Sequence, residues 1–302
     1  MKRFPNQWIN NTTLQVQRIL ANYHSLLLGG AIALLSAIAF SRLAYQFARL
    51  VWLSDDFNGA IDLKLRYQEV NLWFAGEPIY DQLGSAVYPP ASYTMLLPFL
   101  GYPSLSFTRW LWAITSIAAL IWLAYLLINE TQIKKVMPRV LLVMLLLAMY
   151  PTGDTIGNGQ LTLHILVSLV AGLTLMCRRP IGWGKDLWAS VLVIAALVKP
   201  TLAVPFFWIV LFVPGRVRPI LMVSVGYIAL ALFATGFQQS DLFSLHHDWL
   251  AQGIKGAAWG TYSPRLVNYS LITSTTTTIP IPIKPPSSPP TTSPLPKQLF
   301  IS

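Results

Sequence analysis

The stretch FTRWLWAITSIAALIWLAYLLI, Phe107 to Ile128, carries one charge, Arg109, and neither proline nor glycine. At about 1.5 Å rise per residue, a helix of this length covers the roughly 30 Å hydrocarbon core of a bilayer. Apolar runs of similar character recur on both sides of it, at Leu26–Phe47, Arg139–Tyr150, Leu161–Cys177, Leu187–Val198, Leu202–Val213 and Pro219–Gly236. Together they predict an all-α, polytopic transmembrane helical bundle of about seven spans. The composition agrees. Apolar residues make up 54% of the chain and charged residues 11%, against roughly 25% charged in soluble domains, and a soluble globular fold is excluded.

The net charge of +10 does not point to nucleic acid, because Lys and Arg sit in short clusters between apolar runs, where they act as topology signals. With Lys2, Arg3 and Arg18 inside, the clusters Lys134/Lys135/Arg139, Arg178/Arg179/Lys185 and Arg216/Arg218 also fall inside. Residues 1–25 then form a cytoplasmic segment without a cleavable signal, and residues 26–236 a membrane domain anchored by its first span. The nine residues Tyr93–Gly101 are too short to cross unaided and are expected to form a re-entrant or interfacial hairpin. Lys199-Pro200 reads as a corner between two spans, or as a break in one long helix, which would move Arg216 and Arg218 outside. The outer side collects the loop 49–106, the turn Thr152–Gln160, the Lys199-Pro200 corner and the segment 237–272. Residues 273–302, with four threonines at Thr275–Thr278, are too polar and proline-rich to repay ordering. Their abrupt composition fits either a natural linker or the product of a frameshift. The lone Cys177 excludes an intrachain disulfide and a cysteine metal cage.

Chemistry is expected on the outer side. Asp62 to Gly76 reads as an interfacial helix closed by a glycine cap, with Asp62, Arg66 and Glu69 on one face at i, i+4 and i+7, and with Ile61, Leu65, Leu72 and Trp73 dipping into the interface. A carboxylate beside a guanidinium at a membrane surface suits proton removal from a hydroxyl next to a lipid phosphate, although a solvated ion-paired face would share the pattern. Tyr88-Pro89-Pro90 fixes an extended entry to the hairpin. Thr152–Gln160 offers Asp154, Asn158 and Gln160 among glycines that permit close backbone approach. Lys199, between apolar runs, is suited to pairing with a phosphate or to snorkelling. His246, His247 and Asp248 lack a converging third ligand, so neither a metal nor any other cofactor is expected. His164 reads as a buried, hydrogen-bonded residue, and Asn268-Tyr-Ser270 is sequon-like.

In order along the chain, an Asp fourteen residues before Gly76, Pro78 and Tyr80, Tyr88-Pro89-Pro90, Gly159-Gln160 and Lys199-Pro200 resemble the motifs of glycosyltransferase family 87. Asn268-x-Ser270 echoes a later one. The resemblance covers most of Asp55 to Phe206. It implies the C-type membrane glycosyltransferase fold and inverting transfer of a sugar, typically mannose, from a polyprenyl-phosphate donor to a hydroxyl of a glycan or lipid acceptor on the outer face of the plasma membrane. On this analogy Asp62 corresponds to the loop aspartate that serves as general base, with Asp55 or Asp56 as substitutes. Charge and side nominate Arg66 and Lys199 for the donor phosphate, and Glu69, Tyr88, Asp154 and Gln160 for substrate contact. Relatives continue with further spans beyond the equivalent of Gly236, which implies a C-terminally shortened chain, active or not. The competing readings are a transporter or flippase component, which internal repeats would favour and none are evident, and a non-catalytic membrane scaffold.

Overall fold

The computed structural model describes residues 7–53, 59–178, 182–212 and 217–262. Lys2, Arg3, Asp55, Asp56, Arg179, Arg216, the sequon-like triplet and the Ser/Thr/Pro-rich tail lie outside the described residues. Contacts divide the chain into two units, Met1–Gly256 and Ala257–Ser302. Of the second unit, the described part is the end of its helix at Tyr262.

Among the described residues there are twelve helices and no strand: α1 (Gln7–Val51), α2 (Ile61–Phe74), α3 (Ile79–Gln82), α4 (Pro90–Leu100), α5 (Leu105–Glu130), α6 (Val136–Ala148), α7 (Tyr150–Gly157), α8 (Thr162–Cys177), α9 (Trp183–Ala196), α10 (Pro200–Phe212), α11 (Val217–Thr235) and α12 (Leu242–Tyr262). The chain is an all-α membrane protein. Three helical stretches are long and apolar enough to cross a bilayer: Leu26–Val51 within α1, α5 and α11. Helices α6 and α7, bent by 48° at their junction, are together long and apolar enough for a broken span or a re-entrant loop. The bend has a local cause. Pro151 opens α7 and cannot continue the hydrogen-bond ladder of α6, while the Thr152 hydroxyl donates to the Leu146 carbonyl at 2.7 Å.

The other expected spans are shorter. Helix α8 has 16 residues, α9 has 14 and α10 has 13, so α9 and α10 each reach only about 20 Å. They are separate helices with Pro200 opening the second, and short helices of this kind persist at membrane depth where protein covers their ends. Two further boundaries differ from expectation. Helix α1 is described from Gln7 and, with no Pro or Gly between there and Gly29, its polar residues 7–25 run continuously into the first span. The segment expected as a hairpin is the single helix α4, about 16 Å long. Its buried residues Ser92, Tyr93, Leu96 and Leu100 face the bundle.

Helix α8 lies along α9, α1 packs on α6 and α7, α5 packs on α8, and α11 packs on α4 and α9. At one end of this bundle, Arg178 pairs with Glu130, and Arg218 stands 3.2 Å from Asp186 and 4.0 Å above the Trp183 ring. At the other end the loop 59–106, the α7–α8 turn, the α9–α10 corner and the start of α12 come together. The segments assigned to the outer side by charge therefore share one end, and the described basic clusters share the other.

Candidate functional site

Helix α2 is set in place from both of its ends. At its N-terminus the backbone amides of Ala60 and Asp62 donate to the carbonyls of Gly157 and Asn158, each at 3.0 Å. These bonds satisfy donors that a helix start leaves free. Gly159 makes this approach possible: its φ is +68°, and a Cβ there would lie 2.5 Å from the Leu63 Cβ. Gly159 thus receives α2, while Gly153 and Gly157 face Gln46 of α1. At the C-terminus of α2, Gly76 at φ +83° closes the helix, with the Glu77 amide bonded back to the Leu72 carbonyl at 3.0 Å.

Trp73 fixes the roll of α2. It is fully buried, stacks on Tyr93 at 4.5 Å, meets Tyr80 edge-on at 5.8 Å and donates to the Ala234 carbonyl at 3.0 Å. Burying such a ring contributes several kcal/mol, and truncating it to alanine costs about 3–5 kcal/mol. With Trp73 inward, Leu63, Arg66, Glu69 and Val70 turn inward too. The expected interfacial position of Trp73 is thereby corrected. Trp73 is core, Ile61 is exposed, and the Arg66/Glu69 side of the helix is enclosed instead of solvated.

Arg66 and Glu69 form an ion pair at 2.5 Å. The second guanidinium nitrogen of Arg66 donates to the Ser85 carbonyl at 3.1 Å, and the Ser85 hydroxyl donates to the other Glu69 oxygen at 2.9 Å. Burial pushes the Glu69 carboxyl up to about 7, against the opposing pull of Arg66 and Ser85. Glu69 is 0% exposed, with one oxygen bonded to Arg66 and the other to Ser85.

Held in this way, the Arg66 guanidinium lies 4.6 Å from the centroid of the Tyr88 ring, and Lys199 Nζ lies 5.9 Å from the same centroid. Cations over an aromatic face are attracted by its quadrupole. Asp62, partly exposed at the start of α2, is close enough for its charge to act on the Tyr88 phenol. Burial, the larger effect, pushes that phenol up to about 12. Arg66 and Lys199 thus stand over one ring, with Asp62 and Glu69 within electrostatic reach of its hydroxyl. Lys199 is placed there through Ser92, whose hydroxyl donates to the neighbouring Val198 carbonyl at 2.7 Å.

Asp154 and Gln160 are not brought to that ring. Asp154 accepts from the Asn158 side chain at 3.2 Å and stands 3.9 Å from Arg49, which itself donates to Asn158 at 3.0 Å. Its contact with the site therefore runs through the α7–α8 turn. Gln160 is half-buried beside that turn and makes no side-chain hydrogen bond among the described residues. His164 pairs with the Thr115 hydroxyl at 3.1 Å, joining α8 to α5. His246 bonds within its own helix to Leu242, and His247 stands 3.5 Å from Asp248.

Ser85 and α12 were not expected from the sequence. Helix α12 crosses the loop that carries Ser85: Trp249 donates to the Val87 carbonyl at 2.9 Å and Gln252 to the Leu83 carbonyl at 3.2 Å. From beneath, the Tyr80 hydroxyl donates to the Tyr88 carbonyl at 2.7 Å. No signal in a single sequence marks Ser85; a tryptophan on a polar segment, Trp249, was the available hint for α12.

No curated protein and no solved structure shows significant similarity to the chain. Residues 86–270 match the model of glycosyltransferase family 87. The matched stretch contains Tyr88, Asp154, Gln160, Lys199 and α12, and begins downstream of α2. Because it spans more than half of the sequence, the chain belongs to glycosyltransferase family 87, a family of membrane glycosyltransferases.

Proposed function

We propose that the chain transfers a hexose, mannose by family resemblance, from a polyprenyl-phosphate donor to a hydroxyl of a glycan or lipid acceptor, with inversion, at the outer face of the plasma membrane. The observation that carries this reading is the placement of two cations, Arg66 and Lys199, on the Tyr88 ring with the Asp62 carboxylate nearby. In the step envisaged, Asp62 takes the proton of the acceptor hydroxyl as its oxygen bonds to the anomeric carbon. The bond from that carbon to the phosphate oxygen breaks, and polyprenyl phosphate leaves with its charge met by Arg66 and Lys199. Tyr88 keeps the two like charges close while no anion is bound. Glu69 and Ser85 position Arg66, and Asp154 acts on the site through Asn158.

The membrane side of the site suits a lipid donor. Between α4, α5, α8 and α9 lies an apolar cavity of about 310 Å³, walled by Phe99, Trp112, Leu161 and Val198, with Val198 adjoining Lys199. The first isoprene units of a donor phosphate held at Lys199 would lie there. The N-terminus is then cytoplasmic. The test is incubation of membranes carrying the chain with radiolabelled polyprenyl-phosphate hexose. Label should pass to a hydroxyl acceptor with release of polyprenyl phosphate, and nucleotide sugars should not replace the donor. Label that stays on the lipid under all acceptor conditions would refute the reading.

A further inference from the structure

We propose that Arg49, at the outer end of the first span, is a positioning residue for Asp62. The inference rests on the transferase reading, to which the role of Asp62 belongs. Arg49 lies upstream of the stretch that matches the family, residues 86–270.

The guanidinium of Arg49 joins α1 to the α7–α8 turn. One terminal nitrogen donates to Gln46 Oε1 at 2.8 Å and stands 3.9 Å from the Asp154 carboxylate, and the other donates to Asn158 Oδ1 at 3.0 Å. Asp154 accepts from the Asn158 amide at 3.2 Å, which closes the network. Gly157 makes room for it: a Cβ there would collide with Gln46 Oε1 and lie 3.2 Å from Arg49 Nη1. A planar fork can hold acceptors on two elements at once, and an ammonium in its place cannot.

The backbone of Arg49 meets the other side of the same junction. A Cβ on Gly59 would lie 2.9 Å from the Arg49 carbonyl, so the chain entering α2 runs directly against the last turn of α1. Ala60 follows at φ +51° and ψ +38°, in the left-handed region that residues with a Cβ avoid, and it is fully buried. Such a conformation persists only where the surroundings over-determine it. Here they are the Gly157 carbonyl, which accepts from the Ala60 amide at 3.0 Å, and the Asn158 carbonyl, which accepts from Asp62 at 3.0 Å and from Leu63 at 3.3 Å. Both carbonyls belong to the turn that the Arg49 side chain holds. Asp62 therefore stands two residues beyond a strained residue seated between two surfaces, and Arg49 is common to both. When the turn is released, Ala60 relaxes and Asp62 moves with it.

The test pairs kinetics with chemical labelling of the full chain in lipid nanodiscs. Displacing a reacting group by about 1 Å costs on the order of 10²-fold in rate, so Arg49→Lys and Asn158→Ala should each lower kcat by about that factor and leave the donor KM in place. Together they should cost no more than either alone, and neither should add to the loss caused by Asp62→Asn. Arg49→Lys keeps the charge and loses the fork, so a parent rate in that variant would overturn the proposal. Losses that add to that of Asp62→Asn would overturn it too. In a chain carrying Cys177→Ser and Asp62→Cys, Arg49→Lys should change the rate of maleimide labelling severalfold. A cysteine at the exposed position of Gln239 should label at one rate with either residue at 49. If the parent transfers no hexose, the transferase reading fails and labelling decides alone: a changed rate at position 62 keeps Arg49 as the residue that sets it, and equal rates end the assignment.

Discussion

Arg66 and Tyr88, 22 positions apart in the sequence, meet with the guanidinium carbon 4.6 Å from the ring centroid. The same guanidinium is tied to Glu69 at 2.5 Å and to the Ser85 carbonyl at 3.1 Å. A planar fork makes all three contacts at once, and an ammonium cannot. Arg66→Lys should therefore raise the donor KM by about tenfold or more, with helix content unchanged by circular dichroism. An unaltered donor KM would remove Arg66 from phosphate binding.

The Glu69 carboxyl, raised to about 7 by burial, sets a pH dependence whose sign is fixed. The folded chain holds this proton more tightly than the unfolded chain, so the associated stability is fully present below about 4.5 and is lost as pH rises through about 7. The melting temperature of the parent in detergent should fall between pH 5 and pH 8. Glu69→Gln should flatten that slope. Parallel slopes in both proteins would contradict the assignment.

Helix α12 reaches the loop before Tyr88 through Trp249 and Gln252. Trp249→Phe keeps the ring and removes the donor to the Val87 carbonyl, a bond worth about 1 kcal/mol. A roughly fivefold fall in transfer is expected, with global melting little changed. Rates equal to the parent would make α12 a mere cover.

Much of the architecture could be read from hydropathy and charge. The runs that became α5 and α11 have the length and composition of spans, and Pro200 announces the break at which it stands. The cap at Gly76 and the gathering of the outer segments were also legible, because glycine in the left-handed region and clustered Lys and Arg have few alternative explanations. What escaped is tertiary. The pattern of α2 allowed either Trp73 or the Asp62/Arg66/Glu69 face to point at the interface, and the decision came from Tyr93, Tyr80 and Ala234, all distant in sequence. The glycines at 157 and 159 suggested ligand approach because nothing local shows that Gln46 occupies the space at the first and Leu63 the space at the second. Helix α12 was hidden by three glycines, Gly253, Gly256 and Gly260, in an otherwise mixed segment.

The sidedness of the site can be read with one cysteine at a time. Cys177 is exposed at the end of α8, beside Arg178, which pairs with Glu130. In intact cells a membrane-impermeant maleimide should leave Cys177 unlabelled, and should label a chain carrying Cys177→Ser with Asp62→Cys. The reverse pattern would place the site in the cytosol and end the outer-face proposal.

The central claim is that Asp62 accepts the proton of the attacking hydroxyl. Asp62→Asn preserves shape and the backbone bond to Asn158 while removing the basic oxygen. The decisive measurement is the rate of hexose transfer from polyprenyl-phosphate hexose by the parent and by Asp62→Asn at saturating donor. A fall of about 10²–10⁴-fold in kcat with donor KM preserved is predicted; equal rates for the two proteins would contradict the account.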